Sequence, residues 1–491
     1  MKHSKLSDYT FKKGKFITPI NSLPMMQEFE DEKSWTYGRM PEYIWVGLIL
    51  SYYGRDKGLR KSYSIILRLH ELAPDLYTLR LSQILNLDSN IQKKFYDYVV
   101  CSGCKKVLSP LTIFLTASKA PIFSEFFYCP EQSVEYRCEI LIKIMRSIMD
   151  HQSNEATDIR FVVLYFNLLS GKIHLLQQQI DLLKIYPISN HDDEVMHLAR
   201  PTVRSLEMMI LTFEKTNSTY LKNFWRCVSE MTECDIFSIQ FPEECRNVTA
   251  YMEKLHEVFE YLSELFVVSE PLDEKMNVLL GIATYSYKRL KEIYDHQLFN
   301  SISGRSCVRI LIEDYIMMKY LVKNEQYHTN IWRDYQIYGM GLYKLVLARY
   351  RENCILEESH FDEKYIEALI NEFKDEEFID MDTKYFDKQN IRMKAEAVEE
   401  KNLYGLYYDY DSSFEHGLWG AVRESSLLKC NNPAHKYHCI PDVENEIRLK
   451  TVLPDCVMAM NKTVLFLDGI YGIPEQLLNE VINFEIKPIT E

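Results

Sequence analysis

Arg305, Arg309 and Glu313 recur every four residues within Ser303–Lys323 (SGRSCVRILIEDYIMMKYLVK), a spacing that sets all three on one face of an α-helix. The other positions, Val308, Ile310, Leu311, Ile312, Ile316, Met317 and Leu321, are apolar nearly all round, as in a helix at the centre of a domain. Charges on such a helix must be paired or line a polar cleft. Arg309 precedes Glu313, the less favourable order for a surface helix pair, so simple propping of the helix explains them poorly. Two readings follow: an Arg/Glu network that pins helix packing, or a site whose arginines hold an anion.

A second stretch, Tyr404–Ser426 (YGLYYDYDSSFEHGLWGAVRESS), gathers Tyr407, Tyr408, Asp411, Ser413, Glu415, His416, Trp419, Arg423 and Glu424. A helix continuing past Ser412 would align His416, Gly420 and Arg423, with His416 as general acid or base and Arg423 binding an anion. A lone histidine on a helix is more often a hydrogen-bonded packing residue. The candidate catalytic set is therefore Arg309, Glu313, Ser413, His416 and Arg423, with Arg305, Tyr407 and Tyr408 as ligand-binding residues.

Cys430–Cys439 (CNNPAHKYHC) holds two cysteines and two histidines, but its C-x4-H-x2-H-C spacing lacks the well-separated ligand pairs of tetrahedral zinc sites. Cys101 and Cys104 form a CxxC with no second pair, and the Glu253/His256 and Glu357/His360 pairs lack the further glutamates of a di-metal bundle. No Walker loop, GxGxxG, GxSxG or HExxH occurs. The expectation is no metal and no cofactor.

The elements that must position these residues read as helices. The first 35 residues lack helical periodicity and carry Pro19 and Pro24, an extended arm. From Met40 onward, Pro41 opens a helix on which Ile44, Trp45, Leu48, Ile49 and Tyr52 share a stripe before Gly54 ends it. Similar segments follow along the chain. The fold class is mainly α, multi-helix bundles in two helical domains with few or no strands: an arm at 1–39, one domain at 40–270 and one at 271–491. The boundary falls near Val267–Asp273, where SEPLD ends one helical run and caps the next.

A net charge of −14 sets an average field that repels nucleic acid, so RNA or a small anionic ligand would need a local basic cleft. The most apolar windows, Tyr43–Tyr53 and Val464–Ile470, are too short for a bilayer core of about 30 Å. No apolar leader precedes the cysteines. These features lead to the expectation of a cytoplasmic protein with reduced thiols and no membrane span.

The strings PEYIWVGLILSYYGRDKGL, TDIRFVVLYFNLLSGKIHL, RSCVRILIEDYIMMKYLVK, NIRMKAEAVEEKNLYGLYYDYDSSFEHGLWGAVRES and NPAHKYHCIPD resemble an uncharacterised, mainly bacterial family known as a domain of unknown function, its domain spanning Lys275 to Pro441. The resemblance implies an all-helical domain with polar positions at Arg309, Glu313, Tyr407, Ser413 and His416. A helix with Arg and a later one with Ser and His is similar, at fold level, to the HEPN class of helical RNases and abortive-infection proteins. That class places Arg before His on one helix, whereas here His416 precedes Arg423, so Arg305 or Arg309 must stand in. The implied function is a metal-independent ribonuclease of stress or phage defence, acting as a homodimer whose paired sites hold a phosphodiester. The alternative is a non-enzymatic binding or scaffold protein in which the same residues form a buried network.

Overall fold

The structure, a computed structural model, describes residues 5–18, 34–76, 78–171, 175–210, 217–237, 241, 248–268, 273–353, 360–381 and 386–484, and these are mainly helical. No helix among the described residues is long and apolar enough to cross a membrane. The chain divides into two units: Met1–Phe237 with Lys429–Cys439, and Ser238–Leu428 with Ile440–Glu491. The division therefore lies earlier than the Val267–Asp273 break. That break separates two helices of the second unit, Val248–Val268 and Glu274–Asp295, the latter capped by Asp273, whose side chain accepts from the Lys275 amide. Residues 269–272 lie outside the described residues.

The segment expected as an extended arm contains a small hairpin, Thr10–Lys12 paired with Lys15–Ile17. Lys13 and Gly14, at φ 50° and 76°, supply the two left-handed residues such a tight turn requires. Residues 19–33, which hold both prolines of the arm, are not among those described.

The core of the first unit is built on Met40–Tyr53, a helix apolar on every face and buried throughout from Met40 to Leu50. The helices Arg55–Leu72, Val134–Ile148 and Asn154–Leu169 pack around it. Gly54 reverses the chain at φ 74°, and Gly58 lets the second helix close on the first, since a Cβ there would lie 2.8 Å from Leu50 Cα. Glu42 is buried inside this helix and accepts from the Ser82 amide and hydroxyl at 2.9 and 2.7 Å.

Two buried arginines, Arg39 and Arg160, converge on buried Glu207, with Arg160 Nε 3.6 Å from the carboxylate and the Trp35 ring 4.6 Å from the Arg160 guanidinium. The aromatic face and the carboxylate share the work of replacing water around two cations.

The second unit is organised on Ile302–Asn324, the helix read as central. Ser301 caps it by accepting from the Gly304 amide, and Cys307, Val308, Leu311, Ile312, Ile316, Met317 and Leu321 are buried in its core. Glu274–Asp295, Ile391–Ala397, Asp409–Glu415 and Leu453–Tyr471 pack on it from different sides. An added Cβ at Gly304 would lie 2.7 Å from the Leu298 carbonyl oxygen, so the chain entering this helix leaves no room for a side chain there.

Glu207→Gln leaves two buried guanidinium groups facing a neutral amide. It is expected to lower the unfolding free energy by about 3 kcal/mol, read from the urea midpoint at unchanged slope, whereas a wild-type midpoint would mean that Glu207 contributes little to the unit.

Candidate functional site

On the central helix, Arg309 and Glu313 pair one turn apart at 3.3 Å, both partly buried. Arg309 also donates from Nε to Ser412 Oγ at 3.0 Å and from Nη2 to the Tyr408 hydroxyl at 2.9 Å, with its guanidinium 4.8 Å over the Tyr408 ring. Tyr408 in turn interacts with the Glu313 carboxylate, so Arg309, Glu313 and Tyr408 close a ring of three side chains that Ser412 joins through Arg309. Burial raises the Glu313 carboxyl above its ordinary value, with Arg309 and Tyr408 opposing.

Tyr408 reaches this position because residues Tyr404–Tyr408 form a π-helical turn between Lys401–Leu403 and Asp409–Glu415. The wider turn stacks Tyr404 on Tyr408 at 4.8 Å between ring centres. Tyr407 packs half-buried against the hydrophobic core. It makes none of the Arg309 contacts.

The structure does not bring the rest of the expected set together. The hydroxyl donating to the Tyr410 carbonyl belongs to Ser413, while Ser412 takes the Arg309 contact. Arg423 donates to the Leu427 carbonyl at the end of its own helix, Trp419–Ser426. His416 and Arg423 were expected on one helix face, but the helix ends between them. The Leu418 amide bonds back to the Ser413 carbonyl and the Gly417 amide to Phe414, with Gly417 left-handed at φ 56°, a Schellman stop that glycine makes without strain. His416 is the exposed C-cap, and its imidazole makes no hydrogen bond among the described residues.

One turn before Arg309, buried Arg305 donates to the Lys450 carbonyl and lies over the Tyr410 and Phe414 rings. Beside it, Asp411 is buried with Oδ1 lacking a hydrogen-bond partner among the described residues, and burial pushes its carboxyl up to about 7, Arg305 opposing and Asp455 and Glu424 adding. Asp314, next to Glu313, accepts from Ser286 Oγ at 2.7 Å and is likewise pushed up to about 7 by burial. Sequence reasoning missed Ser412, Asp314 and Ser286. An acidic residue inside an otherwise apolar helical run was the available signal at Asp314.

Among the described residues of this unit the carboxylates form no cluster with metal-ligand spacing. Among the described residues one group does, Cys234, Cys430, His435 and His438 of the first unit.

Residues 276–435 match the profile of a family described as "Family of unknown function (DUF5677)", the stretch in which the sequence resembled such a domain. No curated protein and no solved structure matches the chain. The match supports the kinship of this domain and assigns it no chemistry.

A carboxyl that the fold holds above its ordinary value stabilises the native state below that ordinary value, 3.8 for Asp314, and the contribution is lost as pH rises through about 7. Asp314→Asn keeps an acceptor for Ser286 and removes the titration. Relative to wild type, its melting temperature is expected to be higher at pH 8 than at pH 5; an equal difference at both would show that Asp314 titrates normally.

Proposed function

We propose that this chain is a non-enzymatic helical binding protein, in which the Arg309 network holds the segment Tyr404–Gly420 so that its tip can engage a protein partner. The observation that carries this reading is that Arg309 directs Nε and Nη2 to Ser412, Tyr408 and Glu313, contacts made wholly within one unit. Such an arrangement spends its charge on packing. Beyond it, the residues from Glu415 to Gly420 are all exposed, and Trp419 and Leu418 show 71% and 55% of their surface. Large rings so exposed are the usual anchors of protein interfaces. The negative net charge disfavours nucleic acid as that partner.

A second reading, a metal-independent HEPN-like ribonuclease of stress or phage defence, is favoured by one observation: the free, exposed imidazole of His416. A proton-transfer group needs that accessibility. Arg309, partly exposed, would have to stabilise the developing charge, and a homodimer would have to bring two sites together.

The two readings separate on two variants. Under the binding reading Arg309→Ala strands a half-buried Glu313 and lowers the melting temperature by a few degrees, corresponding to about 1–3 kcal/mol, while His416→Ala melts as wild type. Purified wild type is expected to leave total RNA and tRNA intact with or without EDTA. Cleavage that survives EDTA and disappears in His416→Ala would replace the binding reading with the ribonuclease one.

A further inference from the structure

The Cys430–Cys439 run lacks a zinc framework when read alone, because its ligands sit too close together in sequence. In the structure a cysteine 201 residues before His435 joins it: Cys234 Sγ lies 3.4 Å from His435 Nδ1 and 3.3 Å from His438 Nε2. Cys430 Sγ lies 3.6 Å from the same His435 Nδ1, and all four ligand atoms fall within 4.8 Å of one another. Cys439 is not part of the group.

We propose that Cys234, Cys430, His435 and His438 form a tetrahedral, structural zinc site. Zinc–sulfur and zinc–nitrogen bonds of about 2.3 and 2.0–2.1 Å set sulfur–nitrogen edges of about 3.6 Å in a regular tetrahedron. The three sulfur–nitrogen separations here cluster at that edge length.

The surroundings are those of ligands already oriented. His435 Nε2 lies 3.1 and 3.0 Å from the carbonyls of Ser229 and Thr232, which fixes its proton there and leaves Nδ1 with a lone pair directed at both sulfurs. The Asn432 amide donates to Cys430 Sγ at 3.4 Å, as suits a thiolate, and the Asn432 side chain ties back to Thr232 Oγ1 and the Glu233 carbonyl. Between the two histidines, Lys436 and Tyr437 are both left-handed, at φ 55° and 52°. Two consecutive non-glycine residues in that region are costly, and they turn the short stretch so that His435 and His438 present nitrogens to one point.

Four protein ligands close the coordination sphere, so the site is structural and leaves no position for a substrate. Its role is to fasten two segments far apart in the chain, residues 232–237 and 429–439, adding to a short antiparallel pairing of Ile236 with Cys430 and Phe237 with Lys429 and to the Asn432 and His435 hydrogen bonds.

The test uses the full chain, carrying no histidine tag, expressed with zinc and purified without chelator. Elemental analysis is expected to find one zinc per chain, lost in Cys430→Ser and in His438→Ala and retained in Cys439→Ser. Because a ligand variant that fails to fold would also lose its metal, wild-type protein stripped of metal is also titrated with cobalt(II). Visible d–d bands of a tetrahedral ion with sulfur-to-cobalt charge transfer, displaced by zinc, are expected, as is a rise of several degrees in melting temperature on zinc addition. A wild type that carries no zinc and gives no tetrahedral cobalt spectrum overturns the proposal, as does a Cys234–Cys430 disulfide found by mass spectrometry in the freshly purified chain.

Discussion

A guanidinium on a helix that is otherwise apolar has to find its partners before the helix can be buried. Arg309 stands in that position on Ile302–Asn324, with core residues on the faces around it. Stripping water from the cation is offset only if its donors meet acceptors in good geometry. Glu313 on the same helix supplies the counter-charge, and Tyr408 and Ser412 supply the remaining contacts from another segment. The requirement is therefore not local: satisfying one side chain of the central helix dictates where residues a hundred positions later must sit. The π-helical turn at Tyr404–Tyr408 and the Schellman stop at Gly417 are the local devices that bring that segment in and end it.

The helical periodicity of Ser303–Lys323 was enough to read that helix as central, because burial on every face leaves a distinct composition. The capping serine and the glycine stops follow from equally local rules. The Arg309–Glu313 pair was legible for the same reason, being one helical turn apart. What failed was the reading that crossed an element boundary. His416 and Arg423 align only if the helix runs through Gly417, and the two rival hydrogen-bond patterns there differ by a single residue in the left-handed region. Ser413 is the serine expected in the set, whereas its neighbour Ser412 meets Arg309, since adjacent residues on a helix differ by about 100° in direction. Sequence cannot say which of two neighbouring hydroxyls faces the partner helix.

The domain division shows a different limit. A break within one bundle and a linker between domains look alike in composition, and the helices on either side of SEPLD, Val248–Val268 and Glu274–Asp295, belong to the same unit. The return of Lys429–Cys439 to the first unit leaves no mark in any local window. The same long-range pairing gathers Cys234 with Cys430, His435 and His438, so the fold creates a ligand set that the spacing within one run could not disclose. Buried Arg39, Arg160 and Glu207 repeat the theme in the first unit, where three charges from separate segments meet beside Trp35.

If the Arg309 ring is what fastens Tyr404–Glu415 to the central helix, its loss should loosen that segment first. Amide hydrogen exchange of wild type and Arg309→Met, compared residue by residue, tests this most directly. The expected result is faster exchange across Tyr404–Glu415, with protection retained in Leu453–Tyr471, which packs on the same central helix and supplies none of the polar partners of Arg309 named above. Unchanged protection in Tyr404–Glu415, or equal loss throughout the unit, would contradict it.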